Sequence, residues 1–211
     1  MPRTADHDER RIQVAEALLR TVARKGLART TLADIADEMG VSVGLVQRYF
    51  RSKTALLRFG VEHLYRRGEE RLLAVDPVPP IHDLAYRLAL TLLPQDEERR
   101  LELTVWLEFL PATVTDPEMA RMHGEATRAV IDMFTRVLAA ARERGELAEG
   151  LDPAQEARAL DALIDGLTMH QLTNPDLYGD ADSHAMLRRH LDRLFTAGED
   201  TDERNTEGDR G

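Results

Sequence analysis

The chain has 211 residues, 43% hydrophobic and 31% charged, a length that suffices for one or two packed domains. It contains no cysteine, which excludes disulfides, thiol redox sensing and cysteine-ligated metals. No apolar run approaches the roughly 20 residues of a membrane span, and the first residues, MPRTADHDERR, lack the apolar core of a signal peptide. We therefore expect a soluble protein of the cytoplasm.

The net charge of −10 is unevenly distributed along the chain. Residues 1–75 hold 14 Lys and Arg against 10 Asp and Glu, whereas residues 76–211 hold 14 against 28. Attraction to phosphate depends on local charge, because salt screens electric fields within roughly 8–10 Å. Overall acidity therefore does not exclude nucleic-acid binding by the first part of the chain.

Helical periodicity extends through nearly the whole chain, and strand-like alternation is absent. Capping residues and glycine stops predict an all-α fold of nine helices, at about 8–25, 31–39, 43–49, 52–75, 81–93, 96–110, 116–144, 152–173 and 182–196. The prolines of DPVPP at 76–80 separate an N-terminal domain, 1–51 with its linking helix 52–75, from a second domain, 76–196. The acidic tail 197–211 has no sizeable apolar residue and is predicted to be disordered.

Residues 31–50, TLADIADEMGVSVGLVQRYF, predict two short helices joined by a sharp turn at Gly40, where a left-handed residue costs least. Thr31 and Asp34 have capping-box spacing, and Ser42 can cap the second helix. The inner face of the pair would be Ile35, Ala36, Met39, Val41, Val46 and Phe50. This spacing is typical of a helix-turn-helix that inserts its second helix into the DNA major groove; a plain helical hairpin is the alternative.

Residues 8–58 resemble the DNA-binding domain of TetR-type transcriptional regulators. The resemblance rests on Gly26, Thr30-Thr31, Ile35-Ala36, Gly40-Val41-Ser42, Gly44, Tyr49-Phe50 and Ser52-Lys53, followed by Ala55-Leu56-Leu57. It implies a homodimer that binds a palindromic operator, an effector pocket in the larger domain, and release of DNA on ligand binding. Gln47 stands where many members have a tyrosine, so the reading helix is closer to the betaine-regulator-like subgroup.

Eight residues are candidate DNA contacts: Thr31, Ser42, Val43, Gly44, Gln47, Arg48, Tyr49 and Lys53. Gln47 can pair bidentately with adenine, and Arg48 with guanine or a phosphate, although a solvated surface charge is the alternative for Arg48. Thr31, Ser42, Tyr49 and Lys53 suit phosphates, and Lys53 also lies at a helix N-terminus that attracts anions. Packing beside Phe50 is the alternative for Tyr49, and a free terminus is the alternative to a minor-groove contact by Arg3.

Helices 8 and 9 carry more apolar surface than one packed face needs. Two such pairs from two subunits would form an isologous four-helix bundle. The predicted dimer interface is Leu160, Leu163, Ile164, Gly166, Leu167, Leu187, Leu191, Leu194 and Phe195. On helix 8 the apolar residues form two neighbouring stripes, Ala157, Leu160, Ile164 and Leu167 on one and Ala159, Leu163 and Gly166 on the other. The alternative is that both helices bury these residues within one subunit.

Helix 6, LELTVWLEFL at 101–110, is apolar almost all round and must be buried on most sides. Methionines of helix 7 suit an irregular ligand cavity, although core packing also explains them. The predicted effector pocket is Tyr86, Leu103, Trp106, Glu108, Phe109, Met119, Met122, His123, Ala126, Met133 and His170. A buried Glu108 would need a cationic ligand, an internal arginine or a shifted pKa, so we expect a largely apolar ligand with a cationic or hydrogen-bonding group.

The predicted function is therefore a ligand-responsive transcriptional regulator, a repressor, and not an enzyme. The sequence shows no nucleophile elbow, phosphate loop or clear acid–base pair, and its seven histidines form no HxxxH or HExxH pair, so we expect no cofactor and no metal. There are two alternatives. One is an effector-independent architectural DNA-binding protein, and the other is an enzyme that uses the helical cavity. The sequence leaves open the effector, the operator and the regulated genes.

Overall fold

The computed structural model describes residues 3–196, with side chains from residue 7 onward. Within this range the nine predicted helices are confirmed and no strand forms: α1 Arg3–Lys25, α2 Leu32–Met39, α3 Val43–Tyr49, α4 Lys53–Leu73, α5 Ile81–Thr91, α6 Glu97–Thr113, α7 Pro117–Glu143, α8 Pro153–Thr173 and α9 Asp180–Leu194. In the same range no helix has both the length and the apolarity needed to cross a bilayer. The predictions for the Arg3 side chain and for the tail 197–211 fall outside the described part.

Side-chain caps fix the helix starts where the sequence predicts them. Ser42 Oγ accepts from the backbone N–H of Leu45 at 3.3 Å, and Ser52 Oγ accepts from that of Ala55 at 3.1 Å. Asp116 and Asp152 cap α7 and α8 in the same way, each followed by a proline in the first turn. Each such cap stabilises its helix by typically ~1 kcal/mol, which explains why α3, only seven residues long, begins at the predicted residue.

The N-terminal core forms around α1. Its buried members are Val14, Ala17, Leu18, Leu19, Val22, Ile35, Ala36, Val46, Phe50, Leu56, Val61, Leu64, Val105, Trp106, Phe109 and Met119. The helix α4 crosses α1 at Gly60, where a Cβ would lie 2.6 Å from Leu18 Cδ2, so any larger residue would require the buried Leu18 side chain to shift. Because α6 and the start of α7 supply the last four members, the N-terminal bundle is built directly onto the second domain.

The second core fills the space between α5, α7, α8 and α9. It buries most of the predicted dimer interface inside one chain: Leu160, Ile164, Leu167, Leu187, Leu191, Leu194 and Phe195 are at most 9% exposed. The helices α5 and α7 cover this face, so the assignment of these seven residues to a dimer interface is wrong. Burial within one subunit is the arrangement the chain adopts for them.

The outward face of α8 is a different stripe. Ala159, Ala162 and Met169 are exposed along it, and Gly166 and Leu163 are partly exposed. Met186 of α9 is 43% exposed, and Met169 is 41% exposed. Of the predicted interface, only Leu163 and Gly166 therefore remain accessible to a partner.

Candidate functional site

The helix α3 fully buries one residue, partly buries Leu45 and Tyr49, and presents the others to solvent. Val46 is fully buried in the N-terminal core, whereas Gln47, Arg48 and Gly44 are exposed and Val43 is 36% exposed. The predicted base-reading side chains therefore lie on the free face of a helix that its own core holds in place.

Thr31 and Ser42 differ in whether the hydroxyl proton is free to donate to a phosphate. Thr31 and Asp34 form the predicted capping box, in which the Thr31 hydroxyl also donates to Asp34 Oδ2 at 2.7 Å. Lys25 Nζ donates to Asp34 Oδ1 at 2.6 Å and, with Thr31, lowers the pKa of Asp34 to about 2. The Thr31 proton is thus engaged, whereas Ser42 Oγ only accepts a hydrogen bond and keeps its own proton for a phosphate.

Intramolecular contacts already engage part of Tyr49 and of Lys53, and Tyr49 packs against the N-terminal core. The half-buried Tyr49 ring lies 5.0 Å from the His7 ring, centroid to centroid, so packing accounts for part of its role. Lys53 Nζ donates to the backbone carbonyl of Leu27 at 3.2 Å, which leaves two ammonium protons for an anion.

The cations of the N-terminal domain divide into two groups. Lys25 pairs with Asp34, and Arg20 and Arg24 both pair with Glu38 of α2. The other cations of the domain form no ion pair within the described residues: Arg10, Arg11, Arg29, Arg48, Arg51 and Lys53. The last three follow one another from the end of α3 to the start of α4, so part of the unneutralised positive charge borders the reading helix. Arg51 was not among the predicted contacts, although its place between the reading helix and the Ser52 cap was visible in the sequence.

A cavity of about 820 Å³ opens between α4, α6, α7 and α8. Six predicted residues line it: Leu103, Trp106, Met122, His123, Ala126 and Met133. The wall also includes Tyr65 of α4 and Asp161 and Asp165 of α8, which the sequence did not predict. A volume in this range matches the clefts that hold drug-sized molecules.

Three predicted pocket residues lie on the other side of α6. Phe109 and Met119 are buried in the N-terminal core. Glu108 is exposed, and its Oε2 accepts from the backbone N–H of Leu27 at 2.8 Å, beside Gly26. Glu108 is therefore neither buried nor unpaired, and the expectation that a ligand compensates its charge is wrong.

Tyr86 and His170 pack elsewhere in the second domain. The Arg188 guanidinium lies 4.2 Å from the centroid of the Tyr86 ring, and the His170 ring stacks on Tyr178 at 4.3 Å. Neither residue lines the cavity, because each is held by a contact that α9 or the α8–α9 loop supplies. Across residues 7–196, no three His, Asp or Glu side chains are grouped so that they could hold a metal ion.

Three aromatic rings stand together on the cavity wall. Tyr65 Oη and His123 Nδ1 share a hydrogen bond of 2.9 Å, and the His123 ring centroid lies 6.2 Å from that of Tyr65 and 6.5 Å from that of Trp106. Burial raises the pKa of Tyr65 to about 12 and lowers the pKa of His123. At neutral pH both rings are therefore uncharged.

The two aspartates lie one turn apart on α8. Asp161 is half-buried, and Asp165 is exposed toward the space of the cavity. Desolvation by the surrounding wall raises the pKa of both carboxyls, and the neighbouring charge of Asp161 contributes further at Asp165, whose pKa rises to about 6. These shifts indicate that the cavity wall solvates negative charge poorly.

Comparison with known proteins identifies the architecture. Residues 14–58 match the family model of bacterial regulatory proteins of the tetR family, and residues 82–196 match that of the C-terminal domain of BetI-type transcriptional repressors. The chain belongs to the TetR family of transcriptional regulators. The predicted resemblance, including the leaning toward the betaine-regulator-like subgroup, is confirmed.

Similar proteins span most of the chain. The HTH-type transcriptional regulator TtgR of Pseudomonas putida is 33% identical over 82% of this chain and 87% of its own length. The HTH-type transcriptional regulator PksA of Bacillus subtilis is 29% identical over 83% and 84%, respectively. A transcriptional regulator from Saccharomonospora viridis, solved in complex with choline, shares the fold with a TM-score of 0.80 and 23% identity, covering 90% of this chain and all of that one.

Proposed function

We propose that this TetR-family regulator is a cytoplasmic repressor that binds an inverted-repeat operator as a homodimer and releases it when a small molecule occupies the cavity. The carrying observation is that one helix, α4, serves both sites. It begins with Lys53 next to the reading helix, and farther along it lines the cavity with Arg58, Tyr65 and Leu72. A ligand that moves the cavity wall therefore moves the helix that supports α3.

The coupling requires only a modest difference in affinity. A ligand that binds the DNA-released arrangement ~100-fold more tightly supplies ~2.7 kcal/mol toward it. Arg58 offers a contact through which such a preference can act, because its Nη2 pairs with Asp116 Oδ2 at 3.0 Å across the α4–α7 junction. Asp116 is also the N-cap of α7, so movement of Arg58 bears on two helices of the cavity wall.

The outward stripe of α8 supports the homodimer. Ala159, Ala162 and Gly166 let a second helix approach closely, and the exposed Met169 and Met186 supply adaptable apolar surface around them. A two-fold contact through this stripe would place two copies of α3 on one side of the molecule, one or more DNA turns apart. The operator would then be an inverted repeat.

The choline complex of the Saccharomonospora viridis regulator supports a small-molecule effector, since that protein has the same fold and holds a small organic ligand. The unpaired cations Arg48, Arg51 and Lys53 support duplex DNA as the macromolecular partner, because such cations release the counterions of phosphate on binding.

Operator selection tests the whole proposal. Random DNA duplexes are selected with the full-length protein at low ionic strength, and the enriched sequences are then challenged with a compound library. We expect enrichment of an inverted repeat and displacement by at least one compound. Enrichment of no sequence would refute operator binding, whereas enrichment of an operator that every compound leaves bound would refute the effector role alone.

A further inference from the structure

Two aromatic rings hold the guanidinium of Arg11, in the first half of α1. Its Cζ lies 4.3 Å from the centroid of the Phe59 ring and 5.2 Å from that of the Phe50 ring, and the two ring centroids lie 5.3 Å apart. A cation within about 6 Å of a ring is attracted by the ring electrons. Because the stacked group is planar, its hydrogen-bond donors are held in one plane before any partner arrives.

The charge of Arg11 has no partner among the described residues. The side chain forms no ion pair there, and Asp8, one turn earlier on α1, pairs only with His7. Nε is buried without a hydrogen bond, whereas the residue as a whole is partly exposed. Neither terminal amine donates to a described side chain or carbonyl, so both are left for a group outside the fold.

Arg11 lies next to the reading helix. Phe50 is the C-cap of α3, and Phe59 belongs to α4. One turn before Arg11, the His7 ring lies 5.0 Å from the ring of Tyr49, the last residue of α3. The first turns of α1 therefore border the junction between α3 and α4.

The same junction carries the consecutive unpaired cations Arg48, Arg51 and Lys53. Arg11 approaches it from a separate helix, so α1, α3 and α4 all contribute positive charge at this place. The cations at the other end of α1 differ, because Arg24 pairs with Glu38. Only the end of α1 that borders the reading helix therefore offers a fixed and unneutralised guanidinium.

We propose that Arg11 is a further DNA contact, which donates its terminal amines to a backbone phosphate beside the reading helix while Phe50 and Phe59 hold its plane. This inference rests on the proposed operator binding and adds a contact from α1, outside the helix-turn-helix. The guanidinium fork matches the oxygens of a phosphate, and a phosphate contact carries no sequence information. Arg11 therefore strengthens binding to every duplex by the same factor.

The variant Arg11→Met tests this contact, because methionine adapts to the space against the rings and carries no charge. The affinities for the selected operator and for a random-sequence duplex are measured by fluorescence anisotropy across a salt series. We expect the slope of log K against log salt to fall by ~0.9, so the ratio of wild-type to variant affinity decreases about 3.5-fold between about 50 and about 200 mM salt. The preference for the operator over the random duplex should be unchanged.

Two further variants separate charge from packing. Arg11→Lys keeps the charge and should restore most of the salt slope, although an ammonium group lacks the planar fork. Arg24→Met is the matched control, since Arg24 lies on the same helix but is already paired with Glu38, and its slope should equal that of the wild type. Thermal unfolding followed by circular dichroism compares the stability of all variants, and Arg11→Gln repeats the salt series with a planar, neutral end group.

A wild-type slope in both Arg11→Met and Arg11→Gln, whatever their Tm, would overturn the proposal and leave Arg11 as a packing residue. A loss of affinity confined to one base pair would also overturn it, because that pattern belongs to a base contact. In both cases the wild type still binds its operator, so the proposed function stands. If the wild type itself binds no duplex at low salt, operator binding and the Arg11 contact fail together.

Discussion

Lys53 illustrates how one side chain can serve the fold and the ligand at once. Its ammonium group is fixed by the Leu27 carbonyl at 3.2 Å, and two protons remain free at the N-terminus of α4. We expect Lys53→Ala to weaken binding to all duplexes and to reduce the slope of log K against log salt by ~0.9 for each phosphate that the lysine no longer neutralises. Binding measured across a salt series checks this.

Arg142→Ala is the matched control for Lys53, since Arg142 is an exposed cation at the end of α7 and should leave the slope unchanged. An unaltered slope in Lys53→Ala would mean that the lysine only holds the α1–α2 loop.

Gln47 should behave in the opposite way. It is exposed on α3 and carries no charge, so Gln47→Ala should relax selectivity at one base pair of each half-site, by ~1–3 kcal/mol, without altering the salt slope. Competition between the operator and its single-base variants measures this. An equal loss of affinity for the operator and all its variants would show that Gln47 positions the protein on DNA and does not select a base.

Asp165 should make the folding stability depend on pH. Its pKa is about 6 in the folded chain against 3.8 ordinarily, so the protonated form is favoured by folding. That stability is fully present below pH ~4 and is lost as the pH rises through about 6. Asp165→Asn stays neutral and should therefore be more stable than the wild type at pH ~7.5, with the difference shrinking toward zero near pH ~4.5.

The expected gain for Asp165→Asn at pH ~7.5 is about 1 kcal/mol, or roughly 2–4 °C in Tm, because solvent at the cavity mouth screens part of the unfavourable charge. Asp132→Asn, which removes an exposed carboxylate of α7 outside the cavity, is the control. A difference that is the same at both pH values would exclude titration of Asp165 as its cause.

At the scale of helices, α6 joins the two domains through Glu108. Its carboxylate accepts from the Leu27 N–H at 2.8 Å, directly after Gly26, whose φ of 78° turns the chain between α1 and α2. We expect Glu108→Ala to lower the free energy of unfolding by ~1 kcal/mol and to weaken operator binding, because the loop that supports the reading helix loses its anchor. Thermal unfolding and operator titration measure both effects.

Glu108→Gln keeps an oxygen acceptor at the same place and should restore most of what Glu108→Ala loses. If the alanine variant matches the wild type in both measurements, the contact between α6 and the α1–α2 loop is not a support.

Sequence reasoning succeeded where the signal was local. The caps Ser42, Ser52 and Asp116 bind the backbone within three residues of themselves, so their spacing alone determined where α3, α4 and α7 begin. The helix α3 has the predicted bounds, and its exposed residues are those predicted to face DNA. In these cases the physical cause and the sequence pattern coincide.

The cavity and the dimer face depended on long-range packing, which periodicity does not encode. An acid in the apolar run of α6 looked buried, but the apolar residues of α6 pack into the N-terminal core, and Glu108 lies on the side that reaches the α1–α2 loop. Leu160 and Leu167 looked like interface residues because an apolar stripe does not reveal which neighbour covers it. The exposed Ala159 and Ala162 carry little hydrophobic signal of their own.

At the scale of the whole molecule, assembly should depend on the outward stripe of α8. Ala162→Arg places a charged side chain in the middle of this stripe, where a second helix would need close approach. We expect the wild type to sediment as a dimer and the variant as a monomer at micromolar concentration, with operator affinity greatly reduced because each monomer engages a single half-site.

Ala120→Arg is the control, since Ala120 is an exposed alanine near the start of α7, away from the stripe; it should remain dimeric. A monomeric wild type, or a dimeric Ala162→Arg, would contradict the proposed interface.

At Gly60 the backbone of α4 touches Leu18 without room for a methyl group between them. Sliding of α4 along α1 would therefore force the N-terminal core apart, so α4 and α1 have to travel together. Since Arg20, Arg24 and Lys25 tie α1 to α2, the helices α1, α2 and α3 would move with α4 as one undeformed unit. Ligand binding would then change the distance between the two DNA-binding domains of the dimer. The fit of each domain to its own half-site would stay the same.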